Sequence, residues 1–356
     1  MFSLTLVATT RCQFSCDYCY ARHTGAAMDM PVDLGCRMIE QAAKRGHFGL
    51  AISGGEPLLV WENVRKWISA YREVEPGGFV QLTTNAFLLD DTIAEELSAL
   101  NVHVSVSIDG DEETHNRHRR TKQGEGTFQQ AFANILANRA KLRHLEVRLT
   151  VSPRTAGKLH KDTAFLISNG FRRIKAVPDY LSLDWNCDSV ATYRAELLKI
   201  LELVRSPNLP DERIVFARFH SQRVTRSNGP RIACAFGDIQ VLPDGSLYAC
   251  TCLRWKPTFK SCDGLRAANH ENWSPPPALM EIRGKLPSRC VPCEHARYCR
   301  AVRCLAMNYL TTGDFLRPSD STCALERVHF ELERRSLSGA EDQRQKQELS
   351  SEKPPR

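Results

Sequence analysis

The sequence predicts an α/β fold of parallel βα units arranged as a barrel-like sheet, with a smaller cysteine-rich domain after it. Three observations predict this. From Phe2 to about Tyr180, short β-type runs alternate with segments of helical period. The residues able to do chemistry fall where those runs end. Nine of the fourteen cysteines lie beyond Ile232.

Six strands are expected, at Phe2 to Ala8, Leu50 to Ser53, Phe79 to Thr84, Val102 to Ile108, Val147 to Val151 and Ile174 to Val177. Between them, helical periodicity is clear in Val64 to Tyr71, Thr92 to Leu100, Phe128 to Leu142 and Lys161 to Ile167. In such a sheet the catalytic groups sit at strand ends, because that face collects a loop from every unit. Cys12 follows strand one, Ser53-Gly54-Gly55-Glu56-Pro57 ends strand two, Thr84-Asn85 ends strand three, and Ser107-Ile108-Asp109-Gly110 ends strand four. Residues 1–180 form this core. Residues 181–231 read as a connector with a helix at Val190 to Val204. Residues 232–335 form the second domain, with a hairpin at Pro243-Asp244-Gly245 between Ile239 to Leu242 and Leu247 to Ala249. Residues 336–356, polar and charged to the final Glu-Lys-Pro-Pro-Arg, are expected to be disordered.

Composition narrows the function. At 356 residues, 42% hydrophobic and 25% charged, the chain can bury a sizeable core. The net charge of +7 comes without a basic segment interleaved with aromatics, so a nucleic-acid partner is not expected. Met1 to Ala8 is too short for a secretion signal, and no apolar stretch reaches membrane-spanning length. The expectation is a soluble cytoplasmic protein with no membrane partner, in which fourteen cysteines point to metal or cluster ligation rather than disulfides.

Cys12, Cys16 and Cys19 have C-x3-C-x2-C spacing. Three thiolates so close in sequence can wrap one cubane cluster and leave its fourth iron without a protein ligand, open to the amine and carboxylate of an amino acid. A thioredoxin-like pair or half of a zinc site would use the same Cys16-x-x-Cys19. The agreement of the other strand ends argues against both. On these residues the chain resembles the radical S-adenosylmethionine (SAM) superfamily. That resemblance implies a partial (β/α)6 TIM-like barrel, a 4Fe-4S cluster on the three cysteines, and reductive cleavage of SAM to a 5'-deoxyadenosyl radical.

The resemblance also assigns a SAM site. Gly54-Gly55-Glu56-Pro57 resembles the family's GGEP loop, whose glycines would let the backbone approach a ligand that a Cβ would exclude. Ser107 and Asp109 resemble the pair that hydrogen-bonds the SAM ribose. Without that context, Asp109-Gly110 would read as a turn. His115-x-x-x-Arg119 resembles the pattern that sets an arginine on the SAM carboxylate, with Arg117 and Arg120 as neighbours. Asn85 contacts SAM or forms a turn, and Tyr18 resembles the aromatic that packs on adenine.

A second array comprises Cys234, Cys250, Cys290, Cys293, Cys299, Cys304 and Cys323. It resembles the SPASM domain, the auxiliary-cluster extension of radical SAM enzymes, although Cys299 to Cys304 is one residue longer than usual. The resemblance implies one auxiliary 4Fe-4S cluster on Cys234, Cys250 and Cys304, with Cys252 as candidate fourth ligand, and a second on Cys290, Cys293, Cys299 and Cys323. That makes three clusters in all. Zinc ribbons are the alternative for these pairs. Cys262 is a weaker candidate, and Cys36 and Cys187 read as ordinary core or loop residues.

The resemblance implies an enzyme that abstracts hydrogen from a peptide, a ribosomally made precursor, leading to a cross-link. A flavodoxin- or ferredoxin-type donor would supply electrons. Anaerobic sulfatase maturation is the nearest alternative, suggested by Ser107 to Phe128. Those enzymes carry an aspartate after the second SPASM cysteine, where this chain has Thr251. Peptide-derived cofactor synthesis is a third reading, and a zinc-stabilised binding protein is the non-enzymatic one.

Overall fold

The computed structural model describes residues 2–21, 26–205, 215–216, 238–248, 250, 252, 281–282, 284–296 and 299–351. Nine strands form one sheet in the order β7-β6-β5-β4-β3-β2-β1-β8-β9. They are β1 (Phe2–Val7), β2 (Phe48–Ser53), β3 (Val80–Thr84), β4 (His103–Ser107), β5 (His144–Val151), β6 (Arg173–Pro178), β7 (Val215–Phe216), β8 (Asp238–Val241) and β9 (Leu247–Tyr248). From β1 to β6 each strand pairs in parallel with the next, as the six expected strands require. Parallel neighbours need a crossover, which helices supply. These are α1 (Val32–Ala43), α2 (Trp61–Val74), α3 (Asp91–Ala99), α4 (Glu112–His118), α5 (Phe128–Asn138) and α6 (Leu159–Ser168). Leu4, Leu6, Leu50, Ile52, Leu82, Val104, Val106, Val147 and Leu149 carry the sheet into one continuous core.

Helix starts show local causes. Asp90 accepts the Ile93 amide at 2.8 Å and Asp111 accepts the Thr114 amide at 2.9 Å, so α3 and α4 each open on an aspartate cap. α1 and α4 fill gaps between strands where helical period was expected without named bounds. In α1, Gly35, Met38, Ile39 and Ala42 are the buried residues, a short stripe at helical spacing. Trp67 of α2 lies over Gly35 and donates from Nε1 to the Val32 carbonyl at 3.0 Å, while Tyr71 donates to the Phe48 carbonyl at 2.6 Å.

Two expectations change. The hairpin predicted within the second domain is β8 and β9, and β8 pairs in parallel with β1, extending the core sheet. The physical reason is that β1, paired with β2 on one side, leaves an open edge that β8 covers. Of the stretch expected to be disordered from 336, the described residues up to Ser351 continue a helix, α10 (Asp320–Ser351), preceded by α8 (Arg300–Arg303) and α9 (Leu305–Thr312). Its Ala, Glu, Gln, Lys, Arg and Leu content favours helix, and no proline interrupts it before Pro354. The connector helix is α7 (Cys187–Arg205), longer than expected, and the rest of the connector lies largely outside the described residues.

The C-terminal helix lies against α7. Arg194 donates from Nε to Glu331 at 2.7 Å, Tyr193 and His329 are 2.9 Å apart, and Arg205 donates to the Arg335 carbonyl at 2.6 Å. Among the described residues no helix is long and apolar enough to cross a membrane.

Gly35 gives a direct test of the α1–α2 packing. A Cβ there would sit 2.3 Å from Trp67 Nε1, and Trp67 is fully buried. Gly35→Ala is expected to cost about 1–3 kcal/mol in urea unfolding, the usual range for overpacking a filled core.

Candidate functional site

The pairing of β1 with β2 continues past both strands. The Ala8 amide donates to the Ser53 carbonyl at 2.7 Å, the Gly55 amide to Thr9 at 2.8 Å, and the Glu56 amide to Arg11 at 2.8 Å. This ladder carries the GGEP segment along the backbone that leads into Cys12. A Cβ on Gly55 would lie 2.0 Å from the Arg11 carbonyl oxygen, and one on Gly54 would lie 2.6 Å from that of Thr9. The glycines are needed, but the close approach is to the cysteine loop's own backbone.

Glu56 fastens three strand ends together. It is fully buried, and Oε1 accepts from the Thr84 hydroxyl at 2.6 Å and the Leu58 amide at 3.0 Å, while Oε2 accepts from the Asn85 amide at 2.8 Å. Burial pushes its carboxyl up to about 7, against the pull of these donors. Pro57 opens a short 3-10 helix, Pro57–Val60. Asn85 donates to Cys12 Sγ at 3.7 Å, within reach for a sulfur acceptor, and its Oδ1 accepts from Gln13 at 3.2 Å.

The cysteine loop is held on its other side by α4. The Ser15 amide donates to Arg120 at 2.7 Å and the Asp17 amide to His118 at 3.3 Å. Burial raises the Cys12 thiol to about 12, and Glu56, Cys16 and Cys19 add to the rise. Burial raises Cys16 to about 11, partly offset by Arg119, with Cys19 again adding. Two partly buried thiols with a third, exposed one at Cys19 beside them are suited to a multi-iron group that deprotonates them. Among the described residues no three Cys, His, Asp or Glu side chains converge as a single ion would require. Two buried polar atoms at this site, Gln13 Oε1 and Ser53 Oγ, have no hydrogen-bond partner. The donor set therefore fits an iron-sulfur cluster with a polar ligand beside it.

Tyr18, Asp109 and Arg119 meet directly. Asp109 and Arg119 form a buried two-point pair at 2.9 and 3.0 Å, the Tyr18 hydroxyl donates to Asp109, and the guanidinium lies 5.4 Å from the Tyr18 ring centroid. The Thr150 amide also donates to Asp109, at 2.8 Å. Burial pushes the Asp109 carboxyl up, but the guanidinium outweighs it and leaves the group below the usual carboxylate range. Three residues expected to touch different parts of one ligand thus form one charge-balanced unit. Ser107 closes β4 opposite Arg148 of β5.

His115 braces this unit from behind. Its Nδ1 accepts the Asp109 amide at 3.4 Å, its Nε2 lies 3.1 Å from the Thr127 hydroxyl, and that hydroxyl donates to the Arg119 carbonyl at 2.7 Å. One tautomer satisfies the chain: Nδ1 accepting and Nε2–H donating. Burial, helped by Arg119, lowers His115 to about 3, so the ring is neutral.

Beside Cys19 a cavity of about 420 Å³ opens between Tyr18, Tyr20, His118, Ser152, Asp179 and Leu181, among others. His118 bridges Asp17 and Ser152, each at 2.8 Å. Asp179 accepts the Leu181 amide at 3.2 Å, and burial, with Asp17 adding, raises its carboxyl. Ser152 and Asp179 were not among the sequence candidates. They directly follow β5 and β6, so applying the strand-end rule to all six strands would have found them.

In the C-terminal part, Cys290, Cys293, Cys299 and Cys323 line one small cavity with Glu326, Arg289 and Phe330. Burial raises Cys299 to about 12, with Glu326 and Cys323 contributing. Cys250, Cys252 and Cys304 share a second apolar cluster with Leu305 and Ala306. Cys234, Cys262 and Thr251 lie outside the described residues. None of the twelve described cysteines forms a disulfide.

Comparison with known proteins agrees with this geometry. Residues 6–156 match the Radical SAM superfamily. The chain is 23% identical over 268 residues to a cysteine-type anaerobic sulfatase-maturating enzyme of Clostridium novyi (strain NT), covering 68% of this chain and 71% of that protein. It superposes on native anSMEcpe with bound AdoMet with a TM-score of 0.78 at 20% identity, covering 96% of this chain and 99% of that one. That protein is also solved with AdoMet and a Kp18Cys peptide, with a TM-score of 0.77. Streptococcus suis SuiB bound to precursor peptide SuiA gives a TM-score of 0.63 at 15% identity, covering 90% of this chain and 75% of that one. The fold is that of the radical SAM TIM-like barrel proteins.

The neutral His115 predicts a pH signature. Its folded value of about 3 lies below its ordinary 6.5, so its contribution is complete above pH 6.5 and is lost as pH falls toward 3. The excess stability of wild type over His115→Leu is expected to shrink by about 1.4 kcal/mol per pH unit across that window and to be flat above it. Denaturant unfolding at several pH values checks this.

Proposed function

We propose that this chain, whose residues 6–156 form a radical SAM domain, removes hydrogen from a peptide and joins the resulting carbon to a second group of the same peptide. The supporting observation is the cavity beside Cys19, which opens among the cysteine loop and the ends of β5 and β6. A substrate seated there lies next to the place where the radical is made. The peptide class is supported by structural neighbours solved with peptides, and we assign a ribosomally made precursor as substrate.

Cys12, Cys16 and Cys19 would hold a 4Fe-4S cluster, which when bound would supply the electron for reductive cleavage of SAM. The chain's own residues position these parts. The Gly54-Gly55-Glu56 ladder fixes the cysteine loop against β2, and Asn85 braces Cys12. Tyr18, Asp109 and Arg119 border SAM as a pre-paired unit, so a polar ligand meets groups already oriented by His115 and Thr150. Tyr18 and Leu181 supply apolar wall to the cavity. The substrate carbon would give up a hydrogen atom to the 5' carbon of SAM's cleaved adenosyl group, leaving 5'-deoxyadenosine and a substrate carbon radical. Bond closure would release one proton and one electron, for which auxiliary 4Fe-4S clusters would serve as acceptors. Cys290, Cys293, Cys299 and Cys323 would hold one, and Cys234, Cys250 and Cys304, with Cys252 as candidate fourth ligand, would hold the other. A flavodoxin- or ferredoxin-type protein supplies the first electron.

A second reading has its own support. The Clostridium novyi relative matures sulfatases by name, which favours oxidation of a cysteine to an aldehyde. Thr251, where such enzymes carry an aspartate, weighs against it.

The test is anaerobic incubation of reconstituted protein with reductant, SAM and a candidate precursor peptide, followed by mass spectrometry. A product two hydrogens lighter and unreactive to aldehyde reagents supports the cross-link, and an aldehyde at cysteine moves the assignment to sulfatase maturation. Cys16→Ala is expected to release no 5'-deoxyadenosine; release equal to wild type refutes the mechanism. Replacing Cys12, Cys16 and Cys19 together should lower iron from roughly 12 to roughly 8 atoms per chain.

A further inference from the structure

Four buried polar side chains meet where α7, α10 and the end of β6 pack together. Tyr180 follows Asp179 of the cavity beside Cys19, and its hydroxyl donates to Glu326 Oε1. Glu326 Oε2 accepts the amide of Arg300, the residue after Cys299, at 2.9 Å. His329 Nδ1 lies 3.3 Å from Glu326 Oε1, and its Nε2 lies 2.9 Å from the Tyr193 hydroxyl. The Arg300 guanidinium lies 5.3 Å from the Tyr180 ring centroid. Tyr180, Tyr193, Glu326 and His329 are all nearly or fully inaccessible to solvent. A carboxylate in such a place carries a desolvation cost that an apolar residue would not.

Glu326 also lines the small cavity of Cys290, Cys293, Cys299 and Cys323. Both of its oxygens act as acceptors, the pattern of an ionised carboxylate. We propose that Glu326 is a positioning residue that places a fixed negative charge beside the cluster held by these four cysteines and so lowers its reduction potential. The Tyr180 hydroxyl donates to that carboxylate and tempers its field, which ties the cluster's potential to the residue next to Asp179. A fixed charge and hydrogen bonding near a cluster are recognised determinants of its potential. The inference rests on the reading that these four cysteines hold a 4Fe-4S cluster.

The experiment is an EPR-monitored redox titration of fully reconstituted protein, without substrate turnover. Glu326→Gln keeps acceptor capacity for the Arg300 amide but removes the charge, and one cluster should shift to a more positive potential. Tyr180→Phe removes the donor while keeping the ring under Arg300, and the same cluster should shift to a more negative potential. Opposite shifts at unchanged iron content are not what a loosened structure would give. If Glu326→Gln does not fold, the Tyr180→Phe shift alone decides. Loaded protein in which neither variant moves a potential, or both move it the same way, overturns the inference. Failure of wild type to load a cluster lost by Cys290→Ala/Cys293→Ala overturns the four-cysteine reading instead.

Discussion

The site depends on a backbone ladder that does not stop when its strands do. Beyond Val7 and Ser53 the chain keeps pairing, through Ala8, Gly55 and Glu56, until it reaches Arg11. Only residues without a side chain can follow it so closely, which is why two glycines stand there. Glu56 then extends the constraint sideways, with its buried carboxylate satisfied by Thr84, Leu58 and Asn85. Three strand ends and the first cysteine become one rigid body. A group as demanding as an iron-sulfur cluster needs its thiols presented by such a body rather than by a loose loop.

Much of this was legible in the sequence. The six parallel strands, the cysteine loop and the strand-end residues follow from alternating periodicity and from where loops must gather. The four thiols of Cys290, Cys293, Cys299 and Cys323 do line one cavity. What could not be read is who partners whom. Asp109 and Arg119 each carry a plausible ligand role, yet only the fold shows that they neutralise one another and that His115 holds both. Tail composition likewise suggested disorder at 336, but a charge-rich segment with high helix propensity can extend a docked helix. Cavity residues Ser152 and Asp179 carry no motif, and only the strand-end rule applied past β4, to β5 and β6, would have picked them out.

The C-terminal part is less separate than its cysteine-rich composition suggests. Arg194 with Glu331, Tyr193 with His329 and Tyr180 with Glu326 bind α10 to the end of the barrel. The two tyrosine contacts are buried, and buried polar contacts are costly unless complete, their value lying in fixing one arrangement. Here the fixed arrangement is that of the four-thiol cavity relative to the last core strand, whose next residues, Asp179 and Tyr180, face the first cavity and the C-terminal helix in turn.

The pairing of β1 with β8 sets the order in which the molecule can be completed. Ser3 finds its partner at Asp238, so on a ribosome β1 waits for a strand made long after it. Until that partner arrives, a half-made chain displays an unpaired apolar edge, the feature that invites strand addition from another molecule. Such far-separated pairing is slow to form. Keeping nascent chains apart, by chaperone or by slow synthesis, therefore belongs to the biology of this fold as much as its chemistry does.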